Sequence, residues 1–317
     1  MENQDKKDIK QVGGQAVVEG VMMRSPEYVA VAVRRKDGRI VLKRDVYLSW
    51  TKRHRFWALP FIRGGVILIE SLVLGIKALN FSGDVAMQEE NEKKQDKNGS
   101  KKKEKPFLDK VIMGATVVLA LALGLGLFFY VPLLLAELTG VQGGVAFNLV
   151  DGVFRLAIFL AYLALVSLWK EIRRVFEYHG AEHKSIFAYE HGRDLTVEGV
   201  KSFSTHHPRC GTSFLLVVML VSILVFITLG KPTDLHSRLI RFLFVPVIGG
   251  VSYEIIRLSA TERGRRLASI LVAPGLWLQK ITTKEPDDSQ LEVALVALRS
   301  SLDLPVPSHV DMVSEKQ

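Results

Sequence analysis

One cysteine, Cys210, is all the thiol chemistry in the 317 residues, so no disulfide can form within the chain. No cleavable leader is expected, because the first ten residues are polar and charged. Nucleotide-binding loops are missing too. The glycine-bearing stretch from Gly13 to Pro26 has neither a Gly-Lys-Ser/Thr ending nor Gly-x-Gly-x-x-Gly, so no nucleotide cofactor is indicated. No internal repeat is evident. What the chain does have is segregation. Its 48% hydrophobic and 24% charged residues, with a mean hydropathy of +0.20, fall into long apolar runs separated by basic stretches. That pattern defines an integral membrane protein. In this class a net charge of +9 serves orientation and contact with anionic lipid headgroups, so the expected partner is the lipid bilayer and no nucleic acid is indicated.

The expected organisation follows from the runs. Residues 1–10 form a charged, disordered tail. Residues 11–50 form a small cytoplasmic antiparallel β-element: Tyr28 to Arg34 alternates, Asp37-Gly38 makes a hairpin turn, and Ile40 to Tyr47 returns. A hairpin alone is marginal in water, so it should pack on something. Residues 51–81 hold an amphipathic helix in which Arg63, Glu70 and Lys77 recur every seven residues along one stripe. Residues 82–106 read as a disordered basic linker. Residues 107–282 form a four-span membrane domain with a cytoplasmic His/Cys loop, and 283–317 a polar tail with one helical patch. The spans are expected near 111–135, 149–169, 213–230 and 239–258. Leu267 to Leu278 is too short to cross, and Pro274-Gly275 should break it. The fold class is therefore a mainly α-helical integral membrane protein with about four transmembrane helices, interfacial helices and a small N-terminal antiparallel β-element.

Basic residues set the orientation. The linker before the first span carries seven lysines, and Lys170 to Arg209 carries seven basic residues. Ala136 to Asn148 has none, and Gly230 to Arg238 has two. The positive-inside rule then puts both termini on the cytoplasmic side.

The chemistry is expected where the second span would run on into Glu171–His183. As a helix, this stretch sets His179, Glu182 and His183 at i, i+3 and i+4, on one face. Two imidazoles one turn apart suit a divalent metal, and the string is the His-x-x-Glu-His pattern of inverzincins. Cys210 stands beside Arg209 at the start of the third span. Positive potential at both favours the ionised, ligating thiol. Imidazoles with a thiolate are a zinc-type set, so zinc is the expected ion, at His179, His183 and Cys210. Glu182 is the expected catalytic base. Glu19, Glu177, His206, His207, Glu254 and Arg257 are the candidate orienting groups or alternative ligands. Glu19 is isolated among small and apolar residues and needs a partner. Glu254, inside an apolar helix with Arg257 three residues on, is an intramembrane ionisable group.

Four stretches carry a resemblance: Gly-Gly-Gln-Ala-Val-Val-Glu-Gly-Val-Met-Met-Arg from Gly13, Glu-Tyr-His-Gly-Ala-Glu-His-Lys from Glu177, His-Pro-Arg-Cys-Gly-Thr-Ser from His207, and Tyr-Glu-Ile-Ile-Arg from Tyr253. Over roughly residues 10 to 285 the chain resembles the YqhQ-like family of bacterial membrane proteins of unknown function, described as predicted metal-dependent enzymes. The resemblance implies a bacterial cytoplasmic membrane and supplies no substrate. Two functions stay open on the residues. One is a metal-dependent hydrolase with its site at the cytoplasmic membrane face. The other is a non-catalytic transporter, ion-handling or assembly protein whose polar cluster is structural.

Overall fold

A computed structural model describes residues 9–98, 106–208, 210–259 and 265–313. Contacts divide the chain into two units. The first comprises Met1–Lys93, Ser167–Ser213 and Val272–Gln317, the second Lys94–Val166 and Phe214–Leu271.

The first unit is built on a sheet of order β1-β2-β3-β4-β5. Strands β1 (Gly13–Val17), β2 (Gly20–Arg24), β3 (Tyr28–Arg34) and β4 (Ile40–Val46) form an antiparallel meander. Strand β5 (Val310–Val313) adds to β4 in parallel. The two-residue period of the strands divides their apolar residues between two faces. Val21, Met23, Ala30, Ala32, Ile40 and Leu42 pack on helices α6 (Lys170–Glu190) and α12 (Asp288–Ser301), with the short α7 (Val197–Lys201) in the same core through Val200. Met22, Val29, Val31, Val33 and Val41 pack on Ala78 and Val85 of helix α2 (Ile62–Asn98). The hairpin expected to need a partner is thus covered on both faces. Between β4 and α2 lies a short helix, α1 (Trp50–Arg53). Glu70 of α2 is buried, and it accepts from Tyr47 Oη at 3.3 Å, Ser49 Oγ at 2.8 Å and the Trp50 N–H at 2.5 Å. Its place in the charged stripe therefore reflects a network that ties α1 to α2, while Leu68, Ile69, Leu72 and Val73 on other faces are exposed.

Glu19 sits in the β1–β2 turn with φ of +52°. Its carboxylate takes both arms of the Arg174 guanidinium, at 2.5 and 2.6 Å, and the Tyr178 hydroxyl at 3.4 Å. The partner that Glu19 needed is a cation one turn before His179. It does not orient the histidines. The pair is half-exposed, and such a pair contributes about 1 kcal/mol or less. A left-handed non-glycine residue costs about as much. Glu19→Ala keeps the strain and loses the pair, whereas Glu19→Gly loses the pair and relieves the strain. In detergent melts the Gly variant is expected to be about 1 kcal/mol more stable than the Ala variant; an Ala variant equal or superior to Gly would refute the strain.

The second unit supplies the apolar helices. Helix α3 (Pro106–Leu125) continues through a π-helical turn, Gly126–Tyr130, into α4 (Val131–Leu138). Helices α5 (Gly144–Val166), α8 (Gly211–Leu229), α9 (Leu235–Leu243) and α10 (Val245–Ser259) follow. Among the described residues, four helical stretches are long and apolar enough to cross a membrane: Gly114–Leu138, Gly144–Val166, Gly211–Leu229 and Leu235–Leu258. The shortest has 19 residues. At 1.5 Å per residue that gives about 28 Å, close to the roughly 30 Å hydrocarbon thickness.

Several sequence expectations are corrected. Residues 82–98 belong to α2 and are not linker; residues 99–105, like the first eight and Arg209, lie outside the described residues. The second span does not run on to His179: α5 ends at Val166, Trp169 is extended, and α6 starts anew. Pro274-Gly275 does not break its segment, because α11 (Arg265–Thr282) carries Pro274 inside it. The polar tail is the largest correction. Helix α12 buries Leu291, Val293, Leu295, Val296 and Leu298, and it starts at a capping box in which Asp287 and Gln290 bond reciprocally, both at 2.9 Å. Helix α6, helix α12 and β5 therefore share a core with the β-element.

Candidate metal centre

Helix α6 carries Glu182, His183, Lys184 and Ser185 in succession, all buried. A helix turns through 100° per residue, so four consecutive residues can be covered only when elements surround the helix. The sheet edge, residues 203–207 and the end of α11 do this. Gly180 makes part of it possible, because a methyl there would run into the Lys284 carbonyl. The Lys284 N–H in turn donates to the Phe176 carbonyl at 2.9 Å. Gly14 does the same on the sheet side: a Cβ at Gly14 would lie 2.8 Å from the Cγ and Cδ of Glu182. The N-terminal glycine stretch thus serves close approach to the Glu-His helix.

His179 Nδ1 lies 2.8 Å from the Thr282 carbonyl, and His183 Nδ1 2.5 Å from the Thr205 carbonyl. A carbonyl only accepts, so each Nδ1 carries the proton and donates it. That tautomer leaves the lone pair of each imidazole on Nε2. The His179 Nε2 is 3.3 Å from the Cys210 sulfur. The His183 Nε2 is buried and has no hydrogen-bond partner. Ligand atoms of His179, His183 and Cys210 all lie within 4.8 Å of one another. The rings of the two histidines stand edge to face, 4.4 Å between centroids. Cys210 directly precedes α8, and its sulfur accepts from the Thr212 N–H at 3.4 Å and meets the Thr212 hydroxyl at 3.1 Å. Burial pushes the His183 imidazole below its ordinary value, partly countered by Cys210, which favours the neutral ring that ligates.

Glu182 is buried. Burial pushes its carboxyl up to about 7, opposed by His179 and by a hydrogen bond from the Gly14 N–H. Its Oε2 is buried without a partner. A carboxyl poised between its two forms near neutral pH is suited to take and return a proton.

The other expected residues are placed as follows. His207 is buried; its ring meets Phe187 edge to face at 4.4 Å and lies 5.7 Å from that of His183, with its Nε2 3.4 Å from Glu190. It therefore backs the cluster. His206 is half-buried and its Nδ1 lies 3.5 Å from Ser204 Oγ. Glu177 accepts from Gln290 at 2.9 Å and pairs with Arg173 at 3.4 Å, so it ties α6 to α12. Glu254 and Arg257 belong to α10 in the second unit. The sequence reading missed Thr205, Thr282 and Gln279. The threonines act through backbone carbonyls, which no residue type announces. Gln279 is buried and clamps the His207 backbone, accepting its N–H at 2.7 Å and donating to its carbonyl at 2.9 Å. A glutamine among apolar residues in 265–282 was the one available signal.

Fold and site define a mainly helical protein with four helices of membrane-spanning length in its second unit and, in its first, two imidazoles and a thiol gathered as a possible metal site. Comparison with known proteins gives this class its family. The chain belongs to the family described as protein of unknown function (DUF1385), whose model matches residues 59–304. It is 37% identical over 303 residues, 92% of each chain, to the uncharacterized protein YqhQ of Bacillus subtilis (strain 168). No solved structure matches it.

Proposed function

We propose that this protein is a multi-span membrane protein that holds one divalent metal ion, zinc by its donor set, at His179, His183 and Cys210, and that it works as a metal-dependent hydrolase. The observation that carries this reading is the pair of Nδ1–carbonyl bonds. They leave both Nε2 lone pairs open to a metal, one 3.3 Å from the Cys210 sulfur and the other buried with no hydrogen-bond partner. Such outer bonds fix the tautomer and raise the basicity of ligating histidines. Three protein ligands leave a position for substrate or water, the arrangement of catalytic rather than structural zinc sites. When bound, the ion would supply Lewis acidity. The chain's own part is to hold the donors, exclude bulk water by burial, and accept a proton at Glu182.

The competing reading is a Cys210–His179 dyad without metal, favoured by the same 3.3 Å contact and by the carbonyl that orients His179. Metal analysis of detergent-purified protein after gel filtration separates the two. About one zinc per chain is expected, falling to background in the His179→Ala/His183→Ala variant. A metal-free wild type with an alkylation-sensitive activity at Cys210 would favour the dyad.

Cys210 stands one residue before a candidate span, so chain connectivity keeps the centre next to the bilayer. Exposed Trp50, Phe56, Trp57 and Phe61, interleaved with Lys52, Arg53 and Arg55, suit the headgroup region of an anionic membrane. We infer four crossings with both termini cytoplasmic. Reporter fusions after Leu138 and after Lys231 should then report the outside, and a cytoplasmic signal at either would sink this topology.

A further inference from the structure

The second unit holds a charge cluster that the metal centre does not use. Asp151 and Arg155 on α5 and Arg241 on α9 are 1%, 4% and 5% exposed. Asp151 and Arg155 lie one helical turn apart, and Arg155 Nη2 donates to Asp151 Oδ2 at 2.8 Å. Arg155 Nη1 donates to Ser222 on α8 at 3.2 Å. Arg241 Nη2 donates to Asn148 Oδ1 at 2.8 Å and to the Gly230 carbonyl at 2.7 Å. Arg241 Nη1 stands 3.8 Å from Asp151 Oδ2, beyond hydrogen-bond reach. Both guanidiniums lie over the Phe226 ring, at 4.9 and 4.8 Å.

Two cations here share one carboxylate. The other nearby acid, Glu137, is held by Arg238 at 2.6 Å. Lys231, which donates to the Val141 carbonyl at 3.2 Å, adds a further cation at this end, while the exposed Asp234 caps α9 by accepting the Ser237 N–H at 2.7 Å. A buried cluster carrying one excess positive charge is costly in an apolar helix bundle unless a counter-charge joins it. Donors are also left over. Arg155 Nε and Arg241 Nη1 are buried with no hydrogen-bond partner, as is Asp151 Oδ1. A purely structural ion pair would use its donors up.

We propose that this cluster binds a small monovalent anion of the halide class, held by Arg241 and Arg155 with Asp151 as the opposing charge that tunes its affinity. The charge selects the ligand: one excess positive charge is neutralised by a monovalent ion and overshot by a divalent one. Size selects against bulky anions too, since Asp151, Arg155 and Arg241 are all buried. Asn148 and the Gly230 carbonyl hold Arg241 in place. This inference does not depend on the metal centre.

The test uses the full chain in detergent at constant ionic strength, with sodium chloride exchanged for sodium gluconate. Chloride is expected to raise the melting midpoint saturably, by about 4 °C when well above its dissociation constant. Arg241→Gln is expected to abolish that increment. Because this variant also loses bonds to Asn148 and Gly230, Asp151→Asn provides the second arm. It keeps an oxygen for Arg155 and removes the competing negative charge, so the chloride concentration for half-effect should fall several-fold. Equal midpoints of the wild type in the two salts would overturn the proposal, and so would an Asp151→Asn variant whose half-effect concentration is unchanged or raised.

Discussion

Cys210→Ser is expected to lower zinc affinity by about 100-fold or more, with little change in the melting midpoint of the metal-free protein. The substitution is nearly isosteric, and the sulfur makes only weak contacts: the Thr212 N–H at 3.4 Å, the Thr212 hydroxyl at 3.1 Å and His179 Nε2 at 3.3 Å. A serine hydroxyl can keep these bonds. What it cannot do is ionise at neutral pH and give a soft donor to a borderline metal. The effect should exceed the 10–100-fold typical of losing an outer-shell partner, because a ligand itself is lost. Cobalt substitution adds a direct readout. A thiolate-to-cobalt charge-transfer band is expected in the near ultraviolet for the wild type and should be absent from Cys210→Ser. Unchanged zinc affinity in that variant would remove Cys210 from the ligand set and leave a His pair open to harder metals.

Ending the chain after Thr283 is expected to unfold the first unit and to abolish metal retention with it. The deletion removes α12, whose Leu291, Val293, Leu295, Val296 and Leu298 are no more than 5% exposed. Burying each such side chain is worth about 1.5–3 kcal/mol, and domains keep only about 5–15 kcal/mol in total. It would also strip one face of the sheet and take away the Lys284 N–H bonded to Phe176 at 2.9 Å, one helical turn before Gly180. Leu298→Ala, a milder change, should cost about 2–5 kcal/mol. A solvated tail would lose less than about 0.5 kcal/mol for the same substitution. Limited proteolysis and melting of the purified variants decide it. A chain ending at 283 that stays protease-resistant and keeps its metal would disprove the buried role of α12.

The sequence by itself determined the elements whose signal is local. The four long apolar helices follow from length and hydropathy, because the hydrocarbon core demands a run of about 20 apolar residues whatever else the chain does. The β3–β4 hairpin follows from alternation and the Asp37-Gly38 turn. The His179–Glu182–His183 face follows from helical period alone. The rest needed tertiary structure. Residues 283–317 look polar because α12 is short and its flanks are charged, yet it fills the core, since burial is decided by what packs on a helix. The stop at Val166 has no glycine or proline to announce it. Cys210 reaches His179 across 31 positions of chain and Glu182 reaches Gly14 across 168. The carbonyls of Thr205 and Thr282 that choose the histidine tautomers belong to every residue type alike. Glu19 illustrates the limit: an isolated carboxylate announces that it has a partner, and only the fold could say that the partner is Arg174. Residue types and spacings fix which groups can ligate or ionise; their distances, and so the chemistry open to them, are set by long-range packing.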